Sequence, residues 1–167
     1  MEKVSYSERE KSIAFTGHRI IPLTRQEEVR KRLTTAVTLA CKSGMTCFCC
    51  GMALGFDMMA AEVVLLLKDK FPDIQLIAVV PFSRQSTRWA SSEQERYHRI
   101  LAKTDKVVIL SGNYFRGCLL RRNDYMLSHS CGVIAYYDGK PQGGTFYTVR
   151  KAERMKMEVV NIYGKRG

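Results

Sequence analysis

Short apolar runs alternate along this chain with longer segments in which apolar positions recur at helical spacing. The first run, Ser12-Ile13-Ala14-Phe15-Thr16, reads as a strand. A helix is expected from Thr24, which forms a capping-box pattern with Glu27 just after Pro22. Val29, Leu33, Ala36, Val37 and Ala40 make its buried stripe, and Gly44 marks its end. A second strand over 46–49 runs into Gly51-Met52-Ala53-Leu54-Gly55-Phe56-Asp57. Residues 58–67 follow as an almost wholly apolar helix, expected to be buried on most sides and closed by Phe71-Pro72.

A third strand over 76–80 ends at Pro81, and Ser92 with Glu95 repeats the capping-box pattern before another helix. Strands over 107–110 and 133–137 flank a helix around 119–128. Gly143-Gly144 precede a helix carrying Val149, Ala152 and Met155, and 159–163 is a last strand. This alternation predicts an α/β, Rossmann-like three-layer sandwich, with a mainly parallel sheet, helices on both faces and right-handed crossovers. Apolar strands without a polar face fit burial on both sides. Neither a linker nor a repeat interrupts the pattern, so residues 1–167 are expected to form one domain.

Composition narrows the picture by exclusion. Hydrophobic residues make up 46% of the 167, with 12 glycines and 4 prolines, which excludes a disordered or fibrous chain. No apolar run approaches the roughly 20 residues that span a bilayer. Met1-Glu2-Lys3-Val4-Ser5 leads into charged residues and lacks a signal-peptide core, so a cytoplasmic protein without a membrane partner is expected. The six cysteines are then thiols. Cys47, Cys49 and Cys50 share one apolar strand without a CxxC pair or a spaced histidine, which reads as core. No metal cluster or covalent cofactor is implied, and any cofactor is unknown at this level.

The net charge of +11 changes the picture more. It favours anionic partners, namely nucleotides, nucleic acid or acidic proteins. Scattered cations such as Arg25, Arg30, Lys31 and Arg32 equally fit a solvated basic surface.

In an open α/β sheet, ligands bind beyond the carboxyl ends of the strands, where strand order reverses. The unusual loops all follow strand ends: Thr16-Gly17-His18-Arg19, residues 51–57, 81–88, Ser111-Gly112-Asn113-Tyr114 and 138–145. Gly51, Gly55, Gly143, Gly144 and Thr145 sit at strand-to-helix junctions, where bare amides and the helix dipole favour phosphate. Arg19 can grip phosphate through its planar fork. His18 reads as a structural or binding residue rather than a proton carrier, because no companion base stands near it in sequence. Asp57 is either a helix N-terminal acid or a ribose-hydroxyl acceptor. Arg84 and Arg88 can neutralise phosphate, and Trp89 either stacks a base or covers the sheet end. Arg121-Arg122-Asn123-Asp124 faces the crevice or forms a charged surface turn.

Taken in order, Thr16-Gly17-His18-Arg19, Gly51-x-x-x-Gly55-x-Asp57, Pro81-Phe82-x-x-Gln85 with Trp89, Arg122-Asn123, Tyr137-Asp138-Gly139 and Gly143-Gly144-Thr145 resemble the YpsA-like proteins. That group belongs to the SLOG superfamily, which unites the DNA-processing protein DprA with the LOG phosphoribohydrolases on a Rossmann-like fold. The resemblance runs from about Ile13 to Ile162. It implies a nucleotide-derivative-binding module that acts as a sensor or regulator. Thr16, Gly17, Arg19, Gly51, Gly55, Asp57, Gly144 and Thr145 are the implied contacts.

The LOG relatives imply an alternative, a nucleotide N-glycosidase. In them a catalytic glutamate follows the glycine-rich loop, whereas here Gly143-Gly144-Thr145-Phe146-Tyr147-Thr148-Val149 carries no acid before Glu153. Asp57 or Glu62 would have to substitute. DprA implies a third reading, a single-stranded nucleic-acid-binding module, although basic and aromatic residues do not interleave as a stacking platform. Homo-oligomers are common among such relatives, and apolar helix faces here permit self-association.

Overall fold

The computed structural model describes residues 6–164. The Met1-Glu2-Lys3-Val4-Ser5 segment, read above for a signal peptide, lies outside the described residues. The strands are β1 (Ser12–Gly17), β2 (Cys47–Cys50), β3 (Gln75–Val80), β4 (Lys106–Ile109), β5 (Gly132–Tyr136) and β6 (Glu158–Asn161). The helices are α1 (Tyr6–Glu10), α2 (Gln26–Lys42), α3 (Phe56–Leu67), α4 (Ser91–Leu101), α5 (Cys118–Ser128) and α6 (Gly143–Arg154). All strand pairs are parallel, in the order β4-β3-β2-β1-β5-β6. The expected α/β three-layer architecture is therefore present.

The chain lays down β1 to β4 outward in one direction and then returns to place β5 on the other side of β1. That reversal between β1 and β5 leaves a crevice beyond their carboxyl ends. Alternation within each strand builds two cores. On one face Ile13, Phe15, Phe48, Cys50, Leu76 and Ile134 pack with the apolar sides of α2, α3 and α4. On the other, Ala14, Cys49, Val79 and Met126 form one cluster, and Leu127, Val133, Ala135, Val149 and Ala152 another under α5 and α6. Burial of Cys49 and Cys50 agrees with the core reading of that strand, while Cys47 is half-buried. Edge strand β4 departs from the expectation of two-sided burial, since Val107 and Ile109 are exposed.

Neither capping box forms. Pro22 directs the chain into a 3-10 turn, Leu23–Arg25, closed by the Arg25 N–H donating to the Pro22 carbonyl at 2.8 Å. Thr24 is consumed in that turn, α2 begins at Gln26 without a side-chain cap, and Glu27 faces Lys31 instead. In α4 the helix starts at Ser91, one residue before the expected cap. Ser92 is thus inside the first turn, and the Gln94 side chain donates to the Thr87 and Trp89 carbonyls instead. No helix among the described residues is long and apolar enough to cross a membrane.

Candidate functional site

A cavity of about 480 Å³ opens at the β1/β5 crevice, within the usual size range for small-molecule sites. Of the residues singled out in sequence, Thr16, Gly17, His18, Arg19, Asp57, Arg122, Gly143, Gly144 and Thr145 line it. Gly51, Gly55 and Arg84 do not. Arg84 is exposed on the loop after β3. The cavity also collects residues with no advance signal of chemistry, notably Gly117 and Cys118.

Strand ends and three helix starts make the wall. The end of β1 supplies Thr16, Gly17 and His18, the loop after β2 supplies Ala53, and the first turn of α3 supplies Asp57. The first turns of α5 and α6 face the same space through residues 117–120 and 142–145. Both turns are entered by glycine with positive φ, Gly117 at 92° and Gly143 at 90°. The unpaired amides and positive dipole ends of two helices thus border one cavity.

Arg122 is the buried cation of the site, 5% exposed. One guanidinium N–H donates to the Gly51 carbonyl at 2.6 Å, and Nε donates to the Asn123 side-chain oxygen at 2.8 Å. Gln85 donates to the Gly51 and Met52 carbonyls at 3.2 and 3.3 Å, holding the same loop from the β3 side. Gly51 is therefore a seat for Arg122. A Cβ there would meet guanidinium atoms at 2.6–2.8 Å. Because moving that guanidinium breaks its buried hydrogen bonds, Gly51→Ala is expected to cost about 1–3 kcal/mol of stability while displacing Arg122 from its place in the cavity. Thermal unfolding paired with ligand titration separates those two effects.

Asp57 is the sole carboxylate lining the cavity among the described residues. Burial raises its pKa from 3.8 to about 6, against the lowering pull of Arg122, the Ala53 N–H and Arg19. That N–H donates to one carboxylate oxygen at 3.2 Å. Burial in turn lowers the pKa of Arg122 despite the attraction of Asp57. Glu62, the other acid considered in sequence, is ion-paired with Arg96 away from the cavity, and Glu153 is exposed.

His18 does have a companion, though a distant one in sequence. Its Nε2 accepts the Asp138 backbone N–H at 2.9 Å and lies 3.2 Å from the Asp138 carboxylate. The Lys140 N–H, and then the His18 ring, hold the Asp138 carboxyl below its ordinary range. The ring packs among Tyr136, Tyr137 and Tyr163. By accepting that backbone N–H through Nε2, the ring pins the β5 loop to the β1 loop. Trp89 sits edge-on to Tyr97, 5.2 Å between centroids, against the core. The exposed aromatic at the cavity is Tyr114, 65% exposed and edge-on to Phe82.

A family model described as the YspA SLOG family (YpsA) matches residues 13–163. The chain is 29% identical over 137 residues to UPF0398 protein BH1768 of Halalkalibacterium halodurans, covering 80% of this chain and 72% of that one. It is 23% identical over 155 residues to UPF0398 protein YpsA of Bacillus subtilis, covering 87% and 86%. Among solved structures, DNA processing protein A from Helicobacter pylori, described for its single-stranded DNA binding mode, superposes with a TM-score of 0.63 at 21% identity. That match covers 92% of this chain and 65% of the other, so this chain spans just under two thirds of its length. The structural-genomics target TM1055 matches at TM-score 0.55 and 13% identity, covering 89% and 72%.

Proposed function

We propose, from the premise that this chain belongs to the YpsA family of SLOG proteins, that it binds a nucleotide-derived small molecule in the β1/β5 crevice as a sensor or regulatory module. The observation that carries this reading is the buried guanidinium of Arg122, held by Gly51 and Asn123 at a cavity bordered by two helix N-termini. A guanidinium with fixed orientation and two helix N-termini suit a phosphate group. Asp57 is placed to accept ribose hydroxyls, and exposed Tyr114 offers a face on which a base can stack. Thr16 and Thr145, both nearly buried, add hydroxyl donors.

A nucleoside monophosphate, a dinucleotide and a short single-stranded oligonucleotide are therefore the first ligands to screen by thermal shift. Ligand at about 100 times its dissociation constant stabilises by about 2.7 kcal/mol, a rise of several degrees. A small-nucleotide shift that disappears in Gly51→Ala supports the crevice. Loss is also expected in Gly144→Leu, where the first added carbon has only the Asn123 amide nitrogen near it, at 3.9 Å, and larger groups reach the lining. No shift with any small nucleotide defeats the reading.

The fold likeness to the H. pylori protein, together with the net charge of +11, favours single-stranded nucleic acid as the second reading. It predicts a shift with the oligonucleotide alone that collapses steeply with salt. An N-glycosidase reading turns on Asp57, because no acid stands on the first turn of α6. Free base released from a nucleoside monophosphate would bring it forward.

A further inference from the structure

A second cavity of about 300 Å³ lies beside the first, and the two share Arg19 as a wall. The loop after β2 also divides between them, with Ala53 in the larger and Leu54 and Gly55 in the smaller. The smaller cavity combines an apolar floor with cations. Ile21 and Met59 are buried beneath it, while Arg30 enters from α2. Arg96, also in its lining, is neutralised by Glu62 and Glu93. The guanidinium groups of Arg19 and Arg30, by contrast, have no hydrogen-bond or ion-pair partner among the described residues. Gln26 spends its amide N–H on the Ile21 carbonyl at 3.3 Å, which leaves its oxygen as an acceptor at the same wall.

An unpaired cation shared by two adjoining cavities is suited to the middle of a ligand. The larger cavity has its own phosphate grip, Arg122, so Arg19 is available to a group lying between the two spaces. The floor of the smaller cavity fits a flat, weakly polar ring, since the Met59 thioether and the Ile21 side chain make an adaptable apolar platform. A mononucleotide fills one cavity and leaves Arg30 without an anion.

Building on the nucleotide-binding reading above, we infer that the ligand is two-headed: a diphosphate-linked dinucleotide with one nucleoside in each cavity and its linker running from Arg122 over Arg19 to Arg30. Joining the two heads makes the second contact intramolecular, so affinity rises without any new element of the protein.

The test is titration calorimetry of the full chain with the four ribonucleoside monophosphates and with the symmetric diphosphate-linked dinucleotide of each. At least one dinucleotide is expected to bind about tenfold tighter, or better, than its own monophosphate, one molecule per chain. Arg30→Ala is expected to abolish that advantage while leaving the monophosphate affinity unchanged, because Arg30 lies outside the larger cavity. Equal affinity for a dinucleotide and its monophosphate overturns the inference and leaves the nucleotide reading standing. So does an unaltered dinucleotide affinity in Arg30→Ala. Absence of binding by every nucleotide overturns both.

Discussion

Gly55→Ala is expected to lower stability by about 3–5 kcal/mol, a fall in midpoint on the order of 10 °C. Gly55 precedes α3 with φ 79° and ψ −117°, a conformation that side chains with a Cβ rarely adopt. Strain of that kind costs about 1–3 kcal/mol on its own. Here there is also no room. A Cβ on Gly55 would overlap the carbonyl carbon and oxygen of Arg19. Those atoms cannot retreat, because the Phe56 N–H donates to the His18 carbonyl at 3.1 Å and the His18 N–H donates to Tyr136 at 3.2 Å. The β1 loop is thus clamped between the start of α3 and the end of β5.

Gly44 provides the matched control. It has φ 101° at the end of α2, but nothing lies within 4 Å of its would-be Cβ. Gly44→Ala should carry only the backbone term, about 1 kcal/mol. Calorimetric unfolding of both variants decides the matter, and equal losses would remove the steric part of this account. Gly55 accordingly serves the site by letting two loops touch, and any effect of Gly55→Ala on ligand binding should accompany loss of fold.

That role explains which parts of the site could be read in advance. Strand ends and junction glycines follow from local pattern, so residues 16–19, Asp57, Arg122 and 143–145 were recognisable before their meeting point was known. The same pattern marks a glycine without saying what approaches it. Gly51 and Gly55 were candidate ligand contacts, yet Gly51 seats Arg122 and Gly55 seats Arg19. Both contacts join segments far apart in sequence, and tertiary approach leaves no local trace.

The capping boxes failed for a related reason. Thr24 has the right partner spacing, but Pro22 set a 3-10 turn ahead of it and shifted the helix start. His18 looked solitary because Asp138 lies on a neighbouring strand's loop and contributes mainly through its backbone N–H. Trp89 was read as stacking a base or covering the sheet end, whereas Tyr114, in a loop without periodicity, is the exposed aromatic that reaches the cavity. A mainly parallel sheet was implied by the alternation of elements, but its strand order was not. The positions of the individual side chains depended on that order.

Asp57→Asn is expected to stabilise the protein, and the gain should grow with pH. The pKa of Asp57 is about 6 in the folded state and 3.8 for the unperturbed group, so the folded chain holds its proton more tightly. Its contribution to stability is fully present below pH 3.8 and is lost as pH rises through about 6. The gap corresponds to about 3 kcal/mol once the carboxylate is ionised in both states. Asparagine has nearly the same shape, keeps an oxygen for the Ala53 N–H, and never ionises. The variant should therefore exceed the parent by about 1 kcal/mol at pH 4.5 and about 3 kcal/mol at pH 8, or roughly 6–12 °C at the higher pH. Thermal unfolding at those two pH values is the measurement. A gain that is the same at both would mean that ionisation of Asp57 is not its source, and a loss at pH 8 would mean that the charge is held by attraction to Arg122 and Arg19. A buried carboxylate that costs stability at neutral pH needs another reason to be present. If that reason is a ribose hydroxyl, the stabilised variant should bind nucleotide about tenfold more weakly, since a hydrogen bond to a charged acceptor contributes about 1.5–3 kcal/mol. Higher stability coupled to weaker binding is the signature expected of a group kept for the ligand.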